Sequence, residues 1–205
     1  MSTDRYPSDS RGFRRILDEV QQAVDPDTRL PALPFRAPTG VLDICQYSNA
    51  IEGSFGPVLQ SLVDSHGDSS VSLVVLDPSP QYYRRGYGSF PAFRVPGSGL
   101  SDAYWDLVAH EPEDDPTGAV IYTADVVAIV GSSGQWSVWG ERSWDLAIVL
   151  SQIDGGPWLT CGVPFVPVEA ALADFTMPDF KRPLPDTERS EFLRNIRERG
   201  WGSGV

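Results

Sequence analysis

The chain has 205 residues, 28 of them acidic and 16 basic, which gives a formal net charge of −12. This length suits one domain with a substantial core, and the negative charge repels nucleic acid phosphates and anionic membranes. No apolar run approaches the roughly 20 residues that span a bilayer, and the opening residues MSTDRYPSDSRGF lack the apolar centre of a secretory signal. We therefore expect a cytoplasmic protein that binds neither nucleic acid nor membrane.

The acidic excess lies in the middle of the chain and suggests three parts of one domain. Residues 1–36, an N-terminal helix and a proline-rich tether, hold six acidic and six basic residues. Residues 37–180, an acidic α+β body, hold eighteen acidic and four basic residues, and residues 181–205, a C-terminal amphipathic helix, hold four and six. An acidic body accelerates encounter with a basic partner, but it also serves solubility alone.

The first half of the chain mixes helix signals with strand signals. Apolar residues recur at helical spacing from Phe13 to Val24, which predicts a helix that starts near Ser8 to Ser10 and stops before Pro26. The four prolines of residues 26–40 then indicate an extended tether. The further predicted elements are a strand over 41–48, a helix from the N-cap Ser54 to the stop at Gly67, a buried strand over 70–78, a loop over 79–89, a strand over 90–95 and a helix from Ser101.

The second half predicts an antiparallel β-meander over about residues 119–150, because three apolar runs follow one another with tight breaks. A short helix over 167–175 follows, and the last helix runs from Asp186 or Thr187 to Gly200. Helices do not alternate regularly with strands. We therefore predict an α+β fold in one domain, with the meander in a mixed sheet packed by several helices.

Three tryptophans lie within nine residues of the predicted meander. A two-residue turn at Glu141 and Arg142 would place Trp139 opposite Trp144. One side of the hairpin then carries Trp139, Trp144, Leu146, Ile148 and Leu150, and the other carries Trp136, Val138, Ala147 and Val149. Because both sides are apolar, this hairpin is predicted to be central and covered on each face. The charged turn is predicted to be exposed and free to meet a partner.

The hairpin sequence WSVWGERSWDLAIV, with its Trp-Gly-acidic centre, resembles a hairpin of uncharacterised actinobacterial proteins and the Trp-rich strands of acidic immunity proteins from bacterial polymorphic toxin systems. The resemblance covers little beyond the hairpin and brings no catalytic motif. It implies a small cytoplasmic bacterial protein of α+β fold that binds and neutralises a toxin.

The most unusual stretch is the basic, tyrosine-rich segment of residues 81–88 in the acidic body. Tyrosine and arginine are enriched where proteins bind one another, so this segment is a candidate contact site. The alternative is a loop whose arginines pair with nearby carboxylates. Together with the hairpin turn, the candidate binding residues are Tyr82, Tyr83, Arg84, Arg85, Tyr87, Glu141 and Arg142.

Catalytic and metal-binding chemistry has few candidates. His66 and His110 fall at predicted helix ends and belong to no metal-binding motif. Cys45 and Cys161 lie in short apolar surroundings and are expected to be buried free thiols, although a nucleophilic pair of Cys45 with His66 stays open. An acidic cluster lacks the spacing of a calcium loop and is interpreted as a solvated loop: Glu111, Glu113, Asp114 and Asp115. We expect no metal, no cofactor and no catalytic residue.

Three functional hypotheses follow. The first is a non-enzymatic protein-binding protein, of the immunity or antitoxin type, whose acidic surface meets a basic partner. The second is a small enzyme with a cleft beside the meander, which would need perturbed titratable groups in one pocket. The third is a structural homo-oligomer subunit that associates through the apolar face of the C-terminal helix, which comprises Phe192, Leu193 and Ile196.

Overall fold

One mixed sheet forms the centre of the protein, for which a computed structural model describes residues 4–112, 115–175 and 184–203. Within those ranges eight strands pair in the order β1-β4-β3-β5-β6-β7-β2-β8, and every neighbouring pair is antiparallel except β2 with β8. The strands are β1 Asp4–Arg5, β2 Val41–Gln46, β3 Ser70–Asp77, β4 Ala92–Pro96, β5 Val126–Gly131, β6 Trp136–Glu141, β7 Leu146–Ser151 and β8 Gly202–Ser203.

Helices cover both faces of this sheet. They are α1 Ser10–Ala23, α2 Tyr47–Ala50, α3 Gly56–His66, α4 Pro80–Tyr87, α5 Leu100–Val108, α6 Val120–Thr123, α7 Val168–Asp174 and α8 Asp186–Arg199. Two apolar clusters result. The first face packs against α2, α3, α5 and α6, and the second packs against α1, α7, α8 and the tether. The predicted α+β domain is thereby confirmed.

The meander is present, but it is shorter than predicted. It comprises β5, β6 and β7, and all residues of these three strands are buried. Residues 120–123 form the helical turn α6 instead of the first part of a strand. The central position follows from the sequence, because strands that are apolar on both faces are most stable where both faces are covered.

The register of the tryptophan hairpin differs from the prediction. Trp139 pairs with Ile148, and four residues, Arg142 to Asp145, form the turn. Asp145 adopts a left-handed backbone with φ 53°, and Trp144 leaves the sheet to pack on Phe192 with the ring centroids 5.5 Å apart. Lengthening the turn by two residues shifts the pairing by an even number, so the predicted division of side chains between the faces is still correct.

The N-terminal helix is where the periodicity predicts it. Asp9 caps α1 by accepting hydrogen bonds from the amides of Arg11 and Gly12 at 2.9 and 2.8 Å. The helix buries three apolar side chains on the second face of the sheet: Phe13, Ile16 and Val20. The tether then crosses the same face and buries Leu30, Leu33 and Phe35. It is therefore part of the core and not only a connection.

The structure differs from the sequence predictions at two helices, α3 and α8. α3 begins at Gly56 after a 3-10 turn (Gly53–Phe55), so Ser54 is not its N-cap, whereas Gly67 ends it with φ 66° as predicted. The apolar face of α8 is not available for a second copy of the chain. Phe192 and Ile196 are buried in the core of their own domain, and Leu193 packs against the same cluster. The surface on which the homo-oligomer hypothesis rested is thus covered.

Candidate protein-contact surface

Residues 80–87, predicted to lie in a loop, form the helix α4. Ser79 caps it by accepting a hydrogen bond from the Tyr82 amide at 3.3 Å, Pro80 occupies its first turn, and Gly88 ends it with φ 73°. These are the ordinary start and stop signals of a helix, so this helix could have been predicted from the sequence. The prediction of a loop was wrong because the helix is short and buries only one side chain.

The tyrosines of α4 divide into anchors and surface residues. Tyr83 is buried, its hydroxyl donates to the Gly118 carbonyl, and burial raises its pKa above the usual range. The Tyr87 ring lies 4.7 Å from the Tyr83 ring, and the Tyr87 hydroxyl donates to the Thr117 carbonyl at 3.3 Å. Tyr82 is 68% exposed. Tyr83 and Tyr87 therefore hold α4 in place, and only Tyr82 is fully presented to solvent.

The exposed arginines of α4 line a groove against α1, which we call the arginine groove. Its volume is about 620 Å³, and Arg14, Arg84 and Arg85 form its charged walls. Phe13 and Phe90 contribute to its floor, stacked 4.3 Å apart at an interplanar angle of 9°. The structure thus joins a basic segment of the middle of the chain to arginines of the N-terminal helix, which are distant in sequence.

The arginine groove continues along α1 into a second, wider cleft of about 1070 Å³. Arg14 lines both cavities, and the second also contains Arg5, Arg11 and Arg15. Two carboxylates of this cleft have structural partners. Asp9 caps α1, and Glu19 accepts hydrogen bonds from Arg94 Nε at 2.9 and 3.0 Å and from Ser72 Oγ at 2.6 Å. The third carboxylate of the cleft, Asp18, is exposed, so arginines outnumber carboxylates here by four to three.

Glu141 is not the exposed tip that the sequence predicted. Its side chain is buried, with 4% of the residue accessible. Oε2 accepts hydrogen bonds from the Leu30 amide and from Trp139 Nε1, both at 3.1 Å, and Oε1 accepts one from Ser143 Oγ at 3.1 Å. The carboxylate therefore fastens the tether to the meander, a role that depends on a residue more than a hundred positions away in sequence.

Arg142 is partly exposed and also has structural partners. Its guanidinium donates to the Ala124 carbonyl at 2.7 and 2.9 Å, forms an ion pair with Asp125 at 3.1 Å and lies 5.0 Å from the Tyr47 ring. These contacts pin the hairpin turn to the chain segment before β5. The structure does not bring Glu141 and Arg142 together with α4 into one surface.

A second surface, on α5, has the opposite charge. Asp102, Trp105 and Asp106 are exposed along this helix, and Trp105 is 49% accessible. The ring of Trp105 rests against Gly53, where an added Cβ would lie 3.1 Å from Trp105 Cβ. We call these three residues the acidic α5 surface. An aromatic side chain between carboxylates suits contact with a basic protein, since the ring supplies apolar area and the charges supply attraction.

The histidines and cysteines do not converge. Cys45 is completely buried in the first apolar cluster, which raises its pKa above the usual range, and Cys161 is a partly exposed free thiol. His110 is exposed and lies against the Tyr6 ring at 4.5 Å, whereas His66 lies 5.8 Å from the Trp158 ring. The ring nitrogens of His66 contact the Leu62 carbonyl and Ser151 Oγ, and no hydrogen bond joins His66 to the buried Cys45 thiol, so a Cys45–His66 pair is not built.

One hydroxyl does meet a histidine. Ser151 Oγ lies 3.2 Å from His66 Nε2, and His66 Nδ1 lies 2.8 Å from the Leu62 carbonyl. Ser151 is fully buried, however, and its hydroxyl also accepts from the Ile153 amide at 3.0 Å and donates to the Ile153 carbonyl at 3.1 Å. The contact ties the end of β7 to α3 and offers no exposed nucleophile.

Asp43 is the most unusual buried carboxyl of the described residues. It is 1% exposed on β2, Oδ2 accepts a hydrogen bond from Trp158 Nε1 at 3.0 Å, and Oδ1 has no hydrogen-bond partner. Burial raises the pKa of Asp43, and nearby Asp154 adds to this, whereas the Trp158 hydrogen bond opposes it. The folded state therefore favours the protonated carboxyl.

Asp43→Asn is expected to increase stability more at neutral pH than at acid pH. Between the unfolded carboxyl's ordinary pKa of about 3.9 and the higher pKa of Asp43 in the folded chain, the folded chain holds a proton that the unfolded chain has released. The free energy of unfolding therefore falls as the pH rises towards the pKa of Asp43 in the folded state. Asparagine has no such proton, so the difference in unfolding free energy between variant and wild type should grow with pH, as urea unfolding will measure. The control variant Asp174→Asn removes an exposed carboxylate and so shows the effect of the change in net charge alone. A difference that does not change with pH would contradict this assignment.

The structure describes only part of the predicted acidic loop. Glu113 and Asp114 lie outside the described residues, and Glu111 and Asp115 are exposed. Asp115 Oδ1 accepts hydrogen bonds from the amide and the hydroxyl of Thr117 at 2.9 and 2.6 Å. In the part of the chain that the structure describes, no three histidine, cysteine or acidic side chains gather as a metal site.

Comparisons with protein-family models, with curated proteins and with solved structures gave no match. Across residues 4–112, 115–175 and 184–203, no helix combines the length and the apolar character needed to cross a membrane. The function must therefore be argued from the two charged surfaces.

Proposed function

We propose that this protein is a non-catalytic protein-binding protein, of the immunity or antitoxin type, that holds a basic partner. The observation that carries the proposal is the acidic α5 surface, where Trp105 is half exposed between two exposed aspartates. Trp105 supplies an anchor of the kind that dominates binding energy at interfaces. The net charge of −12 increases the rate of encounter with a cationic protein.

The enzymatic alternative has one observation in its favour. Arg5, Asp106 and His110 line a cavity of about 460 Å³, a size suited to a small ligand. The cavity lies between β1 and α5 and not beside the meander, where the sequence predicted a cleft. The described residues that line it include no cysteine and no buried base to activate a nucleophile, and Cys45 and Ser151 are buried elsewhere. Binding is therefore the better-supported function.

We expect binding of the partner to weaken when the charge of the acidic α5 surface is neutralised or its tryptophan is removed. The test captures proteins from the source cells on the immobilised chain at low salt, identifies the bound protein, and measures its kinetics with purified variants. Asp102→Asn with Asp106→Asn should slow association about fivefold or more, and Trp105→Ala should speed dissociation by a similar factor, as expected when a contact worth more than about 1 kcal/mol is lost.

The matched control is Glu169→Gln with Asp174→Asn. Both side chains are exposed on α7, which packs on the opposite face of the sheet, and the change in net charge is the same. This control should bind as the wild type does at equal salt. A partner that distinguishes neither pair of variants, or the absence of any salt-sensitive protein partner, would overturn the proposal.

A further inference from the structure

We propose that the arginine groove binds an acidic segment of a protein partner. The site shares no residue with the acidic α5 surface, has the opposite charge and does not depend on the function proposed for that surface. Its ligand would carry carboxylates for Arg14, Arg84 and Arg85, together with an apolar side chain for the floor of the groove.

The three guanidinium groups of the arginine groove differ from other arginines of the chain in their partners. Among the described residues no carboxylate lies within 4 Å of Arg14, Arg84 or Arg85, although acidic residues outnumber basic ones by 28 to 16. Other arginines of the chain are paired, for example Arg94 with Glu19 and Arg142 with Asp125. The loop hypothesis expected such pairs for Arg84 and Arg85 as well. Their charge is instead directed into an open groove.

The Arg84 side chain is held in position before any ligand binds. Arg84 Nε donates to the Ser8 carbonyl at 3.1 Å, and its guanidinium lies 5.1 Å from the Phe90 ring. The planar group is thereby held over an aromatic ring, and its remaining donors are free for a bidentate contact with a carboxylate. A side chain that is already positioned loses less entropy when a ligand binds.

The floor of the arginine groove is apolar. The partly buried Leu17 lies between the charged walls, beside the stacked rings of Phe13 and Phe90, which are themselves almost completely buried. Such a floor gives no advantage to a small inorganic anion, but it would accept a leucine or phenylalanine side chain of a ligand. Tyr82, which is 68% exposed on α4, offers further contact area beside the groove.

The charge of the whole chain favours a peptide over nucleic acid. Single-stranded nucleic acid also stacks on tyrosine and pairs with arginine, so the local chemistry alone fits both. A nucleic acid strand, however, carries one phosphate per nucleotide along its length, and beyond the clefts beside α1 it would meet the acidic body, where residues 37–180 hold eighteen acidic residues against four basic ones. A short acidic segment fills the groove without extending over that body.

The experiment uses a short biotinylated peptide in which glutamate and phenylalanine alternate with glycine, and measures its binding to the full chain by interferometry at low salt. We expect saturable binding that is lost when glutamine replaces glutamate in the peptide. Substitution of Arg14, Arg84 and Arg85 by glutamine should weaken binding at least tenfold, and substitution by lysine should restore part of it, since lysine keeps the charge but not the fork geometry.

The matched control replaces Arg194, Arg197 and Arg199 on α8 by glutamine, which changes the net charge by the same amount at exposed positions. It should bind the peptide nearly as the wild type does. Unfolding midpoints of all variants show whether each is folded. Failure to bind the acidic peptide, equal binding by the glutamine variant, or tighter arginine-dependent binding of oligothymidine would each overturn the proposal. The Asp102 and Asp106 variants should keep peptide binding, so the two proposals can fail independently.

Discussion

Replacing Glu141 with alanine is expected to lower the free energy of unfolding by about 3 kcal/mol, because it leaves several buried donors without an acceptor. The Leu30 amide and Trp139 Nε1 both donate to one oxygen of this carboxylate, and Glu141 is only 4% exposed. An exposed charge at a hairpin tip would change stability by only about 0.5 kcal/mol. Chemical unfolding followed by circular dichroism separates these two outcomes.

Glu141→Gln is the control for this experiment. Its carbonyl oxygen can accept from Leu30 and Trp139, and its amide group can donate to the Ser143 hydroxyl, so every hydrogen bond of the carboxylate has a counterpart. We expect the free energy of unfolding to fall much less for this variant than for Glu141→Ala. Equal losses for the two variants would mean that charge, and not hydrogen bonding to the tether, determines the role of this residue.

Trp136→Ala and Trp139→Ala are each expected to destabilise the protein by about 3–5 kcal/mol, the cost of removing a fully buried large aromatic side chain. The two residues are three positions apart on β6 and point to opposite faces of the sheet, so each belongs to a different apolar cluster. Each indole also donates a hydrogen bond to a carboxylate, Asp68 for Trp136 and Glu141 for Trp139.

Trp105→Ala provides the comparison, since this tryptophan is half exposed. Its loss should cost about 1 kcal/mol or less. Circular dichroism is the suitable signal, because removal of a tryptophan alters the fluorescence itself. If either Trp136→Ala or Trp139→Ala were as mild as Trp105→Ala, one face of the hairpin would be open to solvent and the two-sided packing of the sheet would be incorrect.

Much of the fold was predictable because local signals and tertiary structure agree. The helical spacing of Phe13, Ile16 and Val20 and the stop at Gly200 give α1 and α8 nearly to the residue. The faces of the tryptophan hairpin were also predicted correctly, because alternation along a strand decides them. The register was not, since it depends on a turn in which Asp145 adopts a positive φ and Trp144 packs on α8.

The candidate site was predicted less well, because it depends on contacts between distant segments. Tyr82, Arg84 and Arg85 are exposed as expected of a contact site, but the groove exists only because α1 lies beside α4 and contributes Arg14. Glu141 was misjudged for the same reason. A charged residue in a turn looks exposed until the tether, anchored by Leu30, covers it. Charge patterning along the sequence gives no information about either arrangement.

The segments that cover the second face of the sheet come from the two ends of the chain, α1 with the tether and α7 with α8. The opposite face takes most of its covering from residues 47–165, which lie between them. During synthesis on the ribosome the middle of the protein can therefore close one side early, while the other side waits for Phe192 and Ile196 to emerge. A nascent chain that lacks α8 presents Trp144 and its apolar neighbours to the cell, so this face stays prone to aggregation until Phe192 and Ile196 can pack on it.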